Sequence, residues 1–332
     1  MLARVAESIY WMSRYVERAE NVARFIEVNL NLILDLPVGS AQQWKPLVDT
    51  TGDAAEFAKR YGKATQANVI QFLTFDEKNA NSICSCLRAA RENARSVREI
   101  ISSEMWEQAN QFYLMVNSAA AGNRSDPQDL LASVKMAGQL FTGVTDATMT
   151  HNESWQFCQL GRMLERADKT SRILDVKYFL LLPTAADVGT TADDIQWAAV
   201  LRSASAFEMY RKAHGRIAPD RVVEFLLLDK EFPRAIQYCL MRARESVHAI
   251  SGTPEGVFRH PVERLLGELC SELAYARIEL IIAAGLHEHL DRLQTRMNEV
   301  GNGISETFFA ARGTPPVRKK ARGRAAAIPF AQ

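Results

Sequence analysis

Glu17 and Arg18 sit in the run Ile9 to Leu34, IYWMSRYVERAENVARFIEVNLNLIL, whose charges return 148 positions later in FCQLGRMLERADKTSRILDVKYFLLL. Arg14, Glu17, Arg18, Ala19, Arg24 and Val28 meet the same residue types at Arg162, Glu165, Arg166, Ala167, Arg172 and Val176, while Glu20 meets Asp168 and Glu27 meets Asp175. Paired carboxylates can serve as general acid and base when one pKa is raised. Arginines offer a planar fork that holds carboxylate or phosphate through two hydrogen bonds. Placed side by side, the two types oppose each other, because nearby guanidinium groups lower a carboxylate pKa. The pattern therefore speaks for charge pairing or anion binding, and we read the chain as not catalytic by itself.

These residues need a helix to position them. At about 100° per residue, Tyr15, Ala19, Val22, Ile26, Leu30 and Ile33 share one side, and Glu17, Glu20, Arg24 and Glu27 lie opposite. Glu20 with Arg24, and Asp168 with Arg172, are i,i+4 pairs worth only about 0.2–0.5 kcal/mol each on an exposed helix. Yet the charges agree between the copies better than the apolar residues do: Tyr15 stands opposite Met163 and Phe25 opposite Ile173. Two readings stay open. Either the charges line two solvated faces, or the helices face each other about a pseudo-twofold axis with Glu17, Arg18, Glu165 and Arg166 in a mutually neutralised network. Buried ion pairs testify to register or to a charged ligand more than to stability.

The repeat continues. Pro37 and Gly39 stop the first helix at Asp35 or Leu36, and Pro183 stops its copy. Beyond the breaks the offset is 153, with Trp44, Phe57 and Gly62 matching Trp197, Tyr210 and Gly215, and Thr191 with Asp194 reading as a capping box. VIQFLTFDEKNANSICSCLRAAREN at 69–93 then aligns without a gap to VVEFLLLDKEFPRAIQYCLMRARES at 222–246. Ile83, Leu87, Ala90, Ala94, Val97 and Ile101 predict a helix–helix seam, opened by Asn79 as cap, with its copy opened by Pro233. Arg91 and Glu92, repeated as Arg244 and Glu245, form either a solvated lattice (Arg88 with Glu92, Arg95 with Glu99) or a second charged layer able to bind a carboxylate or phosphate. Further helices are predicted from Ser103 to Val116, from Asp126 and Pro127, and from Pro261 to about Ala284.

The chain has 332 residues with a net charge of +1, but its last 21 residues carry Arg312, Arg318, Lys319, Lys320, Arg322 and Arg324, leaving the body mildly acidic. That tail lacks apolar periodicity and is expected to be disordered; without interleaved aromatics it gives no case for nucleic acid. Five scattered cysteines without CxxC spacing fit a reducing cytoplasm, and no apolar run is long enough to span a bilayer or to act as a leader. None of the six histidines makes a Glu-x-x-His pair with these glutamates, and there is no Walker or GxGxxG loop, so no metal or cofactor is expected. The expected fold is all-α: one bundle of two similar tandem halves, 1–150 and 151–310, in pseudo-twofold arrangement, with 311–332 as the basic tail.

The ERAENVARFIEVN and ERADKTSRILDVK segments, together with SCLRAARENARSVREIISSEMWE, resemble the bacterial Alpha-E family, an all-helical family named for its Glu-Arg motif. Genes of that family stand beside those for circularly permuted ATP-grasp amide ligases and transglutaminase-like peptidases. The resemblance thus implies an accessory or binding subunit for an ATP-grasp ligase, in making or modifying a peptide-like product. The alternative it implies is an enzyme that processes or transfers such a product, with the Glu-Arg cluster as its site.

Overall fold

A computed structural model describes residues 1–35, 44–122, 126–180 and 191–310, and no strand occurs among them. The basic tail and the Pro37, Gly39 and Pro183 breaks lie outside the described residues. The first long helix is α1 (Ala3–Asp35), followed by the short helices α2 (Lys45–Thr51), α3 (Ala54–Tyr61) and α4 (Gln66–Ile70). The last of these runs into a π-helical turn, Gln71–Phe75. Three longer helices follow: α5 (Ile83–Ser96), α6 (Ser103–Ala120) and α7 (Pro127–Thr148). The order then recurs as α8 (Glu153–Leu180), α9 (Thr191–Ser203), α10 (Phe207–His214), α11 (Pro219–Leu228), α12 (Ile236–Ser251), α13 (Pro261–Ala274), α14 (Ile278–Ala284) and α15 (Leu286–Ile304). VIQFLTF and VVEFLLL are helical, as their neighbours imply.

Packing repeats with the sequence. In the first part α1, α5, α6 and α7 close a four-helix ring of successive contacts; in the second, α8, α12, α13 and α15 do the same. The two rings meet where α1 packs on α8, and the short helices cross over, α2 lying on α8 and α9 on α1. Across the α1–α8 contact the residue separation changes only from 152 at Met1–Glu153 to 147 at Arg18–Glu165. An antiparallel pair would change by two per step, so the helices run side by side in the same direction. Gly161 permits the close approach: a Cβ there would run into the carbonyl oxygen of Tyr10. A second π-helical turn, Ser305–Phe309, wedges Phe309 between Tyr10 (centroids 5.4 Å) and Phe157 (5.9 Å) near the start of both long helices.

Several local expectations need correction. Asn79 does not cap α5; its Nδ2 donates to the Phe72 carbonyl at 3.0 Å, and Ser82 is the cap, accepting from the Ser85 backbone N–H at 3.2 Å. Pro233 likewise lies in the turn before α12, which starts at Ile236. The predicted helix from Pro261 to about Ala284 breaks at Tyr275, and α14 and α15 follow it. Ile83, Leu87, Ala90, Ala94, Val97 and Ile101 are all buried, although the last two lie past the end of α5.

Candidate functional site

The Glu-Arg residues face each other across the α1–α8 contact, in the interior. Glu17 and Glu165 are 1% and 0% exposed, and Glu20 and Arg24 are buried with them. The reason is topological. A helix at the centre of such an assembly is covered on every side, here by α5, α7, α8 and α9 around α1, so its charged stripe has no water to face. Burying these groups is tolerated only where each finds partners.

The partners are reciprocal. Arg18 grips Glu165 with Nε to Oε1 at 2.7 Å and Nη2 to Oε2 at 2.9 Å; Arg166 grips Glu17 with Nε to Oε1 at 2.9 Å and Nη2 to Oε2 at 2.8 Å. Both are side-by-side fork pairs, the strongest arrangement available to these groups. Arg14 adds Nε to Glu165 Oε2 at 2.8 Å. Its counterpart Arg162 does not reach Glu17: it bonds to Gln159, and its buried Nε has no partner. Beside it lies a cavity of about 10 Å³, lined by Ser13, Glu17, Thr145, Cys158 and Arg162 among others, with room for one water at most.

Four residues that repeat matching passes over complete the cluster. Lys169 lies 3.5 Å from Glu165 and 3.0 Å from Asp168. Arg234 reaches Glu17 at 3.0 Å, Glu20 at 2.6 Å and the amide oxygen of Asn21 at 3.1 Å. Asn21 donates to Glu17 Oε1 at 2.9 Å, and Asn81 accepts from Arg18 Nη1 at 2.9 Å while donating to Asp53 at 3.1 Å. Asn21 and Lys169 share one repeat position, and Asn81 and Arg234 share another. The first half thus supplies both amides and the second both extra cations, and each glutamate's surroundings receive one of each, in exchanged places. The signal in the sequence is the i+4 spacing from each glutamate for the first pair; the second is set by the turn that precedes α5 and α12. Outside this core, Arg24 holds Glu20 at 2.6 Å and bonds to Ser205, and Arg172 holds Asp168 at 3.0 Å. Counting Arg14, Arg18, Arg24, Arg162, Arg166, Lys169, Arg172 and Arg234 against Asp53, Glu17, Glu20, Glu165 and Asp168, cations outnumber carboxylates. The expected neutralisation holds for the central four residues and not for the whole.

Electrostatics follow from this geometry. Burial alone would raise the carboxyl pKa of Glu17, but Arg166 and Arg234 override it and hold the group well below the usual carboxylate range. For Glu165 burial is likewise overridden, by Arg18, Arg14 and Lys169, and for Asp168 by Lys169 and Arg172. Burial lowers Arg162 and Arg234, whereas Arg18 and Arg166, partly buried, are raised by Glu165 and Glu17. Three carboxylates held ionised in this way are poor proton donors, and both forks that could seize an anion already hold one. Burial pushes the thiols of Cys86 and Cys239, which stand at matching positions beside the cluster, up to about 12.

Arg91, Glu92, Arg244 and Glu245 stay outside this cluster. Arg91 donates to Asn110 on α6 at 2.7 Å and to Glu92 at 2.9 Å; Glu92 also takes Arg95 at 2.7 Å, and Glu245 takes Arg242 at 2.7 Å. The lattice expected of Arg88 with Glu92 and Arg95 with Glu99 is not formed: Arg88 turns to Glu77 at 2.8 Å, and α5 ends before Glu99. No metal-binding group of histidine, cysteine and acidic residues, and no helix long and apolar enough to cross a membrane, occurs among the described residues.

This double ring is an all-helical fold whose reciprocal Glu-Arg core lies in the interior. The chain is a member of the Alpha-E family: the family's model, described as a predicted alpha-helical domain with a conserved ER motif, matches residues 1–309. It is similar to uncharacterized proteins of Mycobacterium bovis and of two strains of Mycobacterium tuberculosis, 24% identical over 342 aligned positions. These matches cover 93% of this chain but 37% of each relative, so the chain spans little more than a third of the relatives' length. No solved structure matches.

Proposed function

We propose that this chain is an accessory subunit that acts in the cytoplasm with an ATP-grasp-type amide ligase in making or modifying a peptide-like product, with a transglutaminase-like peptidase as a second partner. The observation behind the non-catalytic part is the filled state of the Glu-Arg cluster. Glu17 and Glu165 are gripped by arginine forks and held ionised, with space beside Glu17 for one water at most. A site of that kind sets how the two halves of the chain join and leaves no group free for proton transfer. The partner is drawn from the company that genes of this family keep. The length of the mycobacterial relatives fits the same picture, since in them the matching region is carried within a much longer chain.

Co-expression with the neighbouring ligase tests the proposal. The two proteins are expected to co-purify, and mass spectrometry is expected to show products that differ in length or yield when this chain is left out. Absence of both association and any product change overturns the reading.

A further inference from the structure

Arg91 and Arg244 occupy one repeat position, yet their surroundings differ. Arg91 is covered by α6: besides its bond to Asn110, its guanidinium lies over the rings of Tyr113 (5.2 Å) and Trp106 (5.8 Å). Trp106 has no counterpart in the second half. Arg244, half-buried on α12, makes no hydrogen bond or ion pair with any described residue. In place of the aromatic cover it faces a cavity of about 500 Å³ between α12, the connection 252–260 and α13. That is within the roughly 300–1,000 Å³ of small-molecule sites.

The other groups lining it divide by how they are engaged. Glu263 is held by the backbone N–H groups of Arg259 (2.5 Å) and His260 (3.0 Å), and Glu268 lies near Arg264 (3.7 Å) and Arg296 (3.8 Å). Glu255 is exposed. His248 Nδ1 meets the Thr253 carbonyl at 2.9 Å and must donate there, which in the neutral ring leaves Nε2 as an acceptor. Val257 and Phe258 add an apolar wall that is 55% and 59% exposed.

We propose that this cavity binds a ligand ending in a carboxylate next to an apolar side group, the chemistry of a peptide C-terminus. The Arg244 guanidinium takes the carboxylate through its fork, Val257 and Phe258 cover the side group, and His248 Nε2 accepts the ligand's N–H. The assignment is independent of the ligase partnership. It is tested by calorimetric titration of the full chain with N-acetyl-phenylalanine and with N-acetyl-phenylalaninamide. The acid is expected to bind with a Kd on the order of 1 mM, and the amide at least about tenfold more weakly, since it lacks the charge that Arg244 answers. Arg244→Gln should abolish the preference for the acid, and Arg91→Gln should leave it unchanged. Gly267→Leu supplies a second blocking variant: a Cβ at Gly267 meets nothing within 4 Å, so the helix keeps its packing while the added side chain fills the cavity. No binding of the acid, equal binding of acid and amide, or wild-type binding by either blocking variant overturns the proposal.

Discussion

Glu17→Gln removes the one negative charge that answers both Arg166 and Arg234, while keeping the size of the side chain. In the wild type Glu17 accepts two bonds from Arg166, one from Arg234 and one from Asn21, at 1% exposure. Breaking a buried pair by taking away one partner costs about 3–5 kcal/mol, mostly because the other charge stays buried and unanswered. Two cations are stranded here, although Arg234 keeps Glu20 at 2.6 Å, so a loss near the middle of that range, about 4 kcal/mol, is expected. Arg166→Met should cost about 3 kcal/mol, less because Arg234 still neutralises Glu17. In the double variant Arg166 is no longer there to be stranded, which gives a coupling of about 2–3 kcal/mol. Equilibrium urea unfolding of the four proteins, followed by far-ultraviolet circular dichroism, measures it. A coupling of only about 0.2–1 kcal/mol, as for exposed pairs, would refute the claim that burial makes these contacts matter.

The same carboxylates set an acid limit. Glu17, Glu165 and Asp168 have folded pKa values below their unfolded ones, so the stability they contribute is present above about pH 4.3 and is lost as pH falls through the depressed values; urea midpoints from pH 6 down to pH 2 should fall steeply, and less steeply in Glu17→Gln. Gly161→Ala should destabilise by about 1–3 kcal/mol through the clash with the Tyr10 carbonyl, whereas Gly143→Ala, which meets nothing within 4 Å in mid-α7, should stabilise by up to about 1 kcal/mol; thermal melts with the reverse order would count against the helix contact described.

Much of the architecture was legible because the repeat is. Pro and Asp at the start of α7, the seam of α5 and the reciprocal charges of α1 and α8 all follow from spacing and matching. Which face of α1 meets water does not. Periodicity separates Glu17, Glu20 and Arg24 from Ala19, Val22 and Ile26, but both sets are buried, because neighbours that are distant in sequence cover the charged side as well. The helix starts at Ile83 and Ile236 were misplaced for a related reason. The residues before them form the turns that carry Asn81 and Arg234 into the cluster, a demand that arises only once the two halves are packed together.

Those two residues also show what the duplication has kept. Around Glu165 the extra cation comes from one turn further along its own helix, Lys169, and the turn supplies an amide, Asn81; around Glu17 the helix supplies the amide, Asn21, and the turn the cation, Arg234. Matching residue by residue sees two mismatches, whereas the total of one cation and one amide per cluster is unchanged. If that total is what packing requires, it can be exchanged on purpose. Arg234→Asn alone removes the cation that bridges Glu17 and Glu20, leaving Arg166 and Arg24 to answer them, and should cost about 2 kcal/mol. Adding Asn21→Lys should recover most of it: the new ammonium stands to Glu17 and Glu20 as Lys169 stands to Glu165 and Asp168. The new amide at 234 can accept from Arg166 Nη1, which now makes a 3.3 Å bond to the Pro233 carbonyl, as Asn81 accepts from Arg18. Urea unfolding of the two single variants and the double reads the outcome. A double variant no more stable than Arg234→Asn would mean that the positions of these groups, and not their summed charge, are what the interior demands.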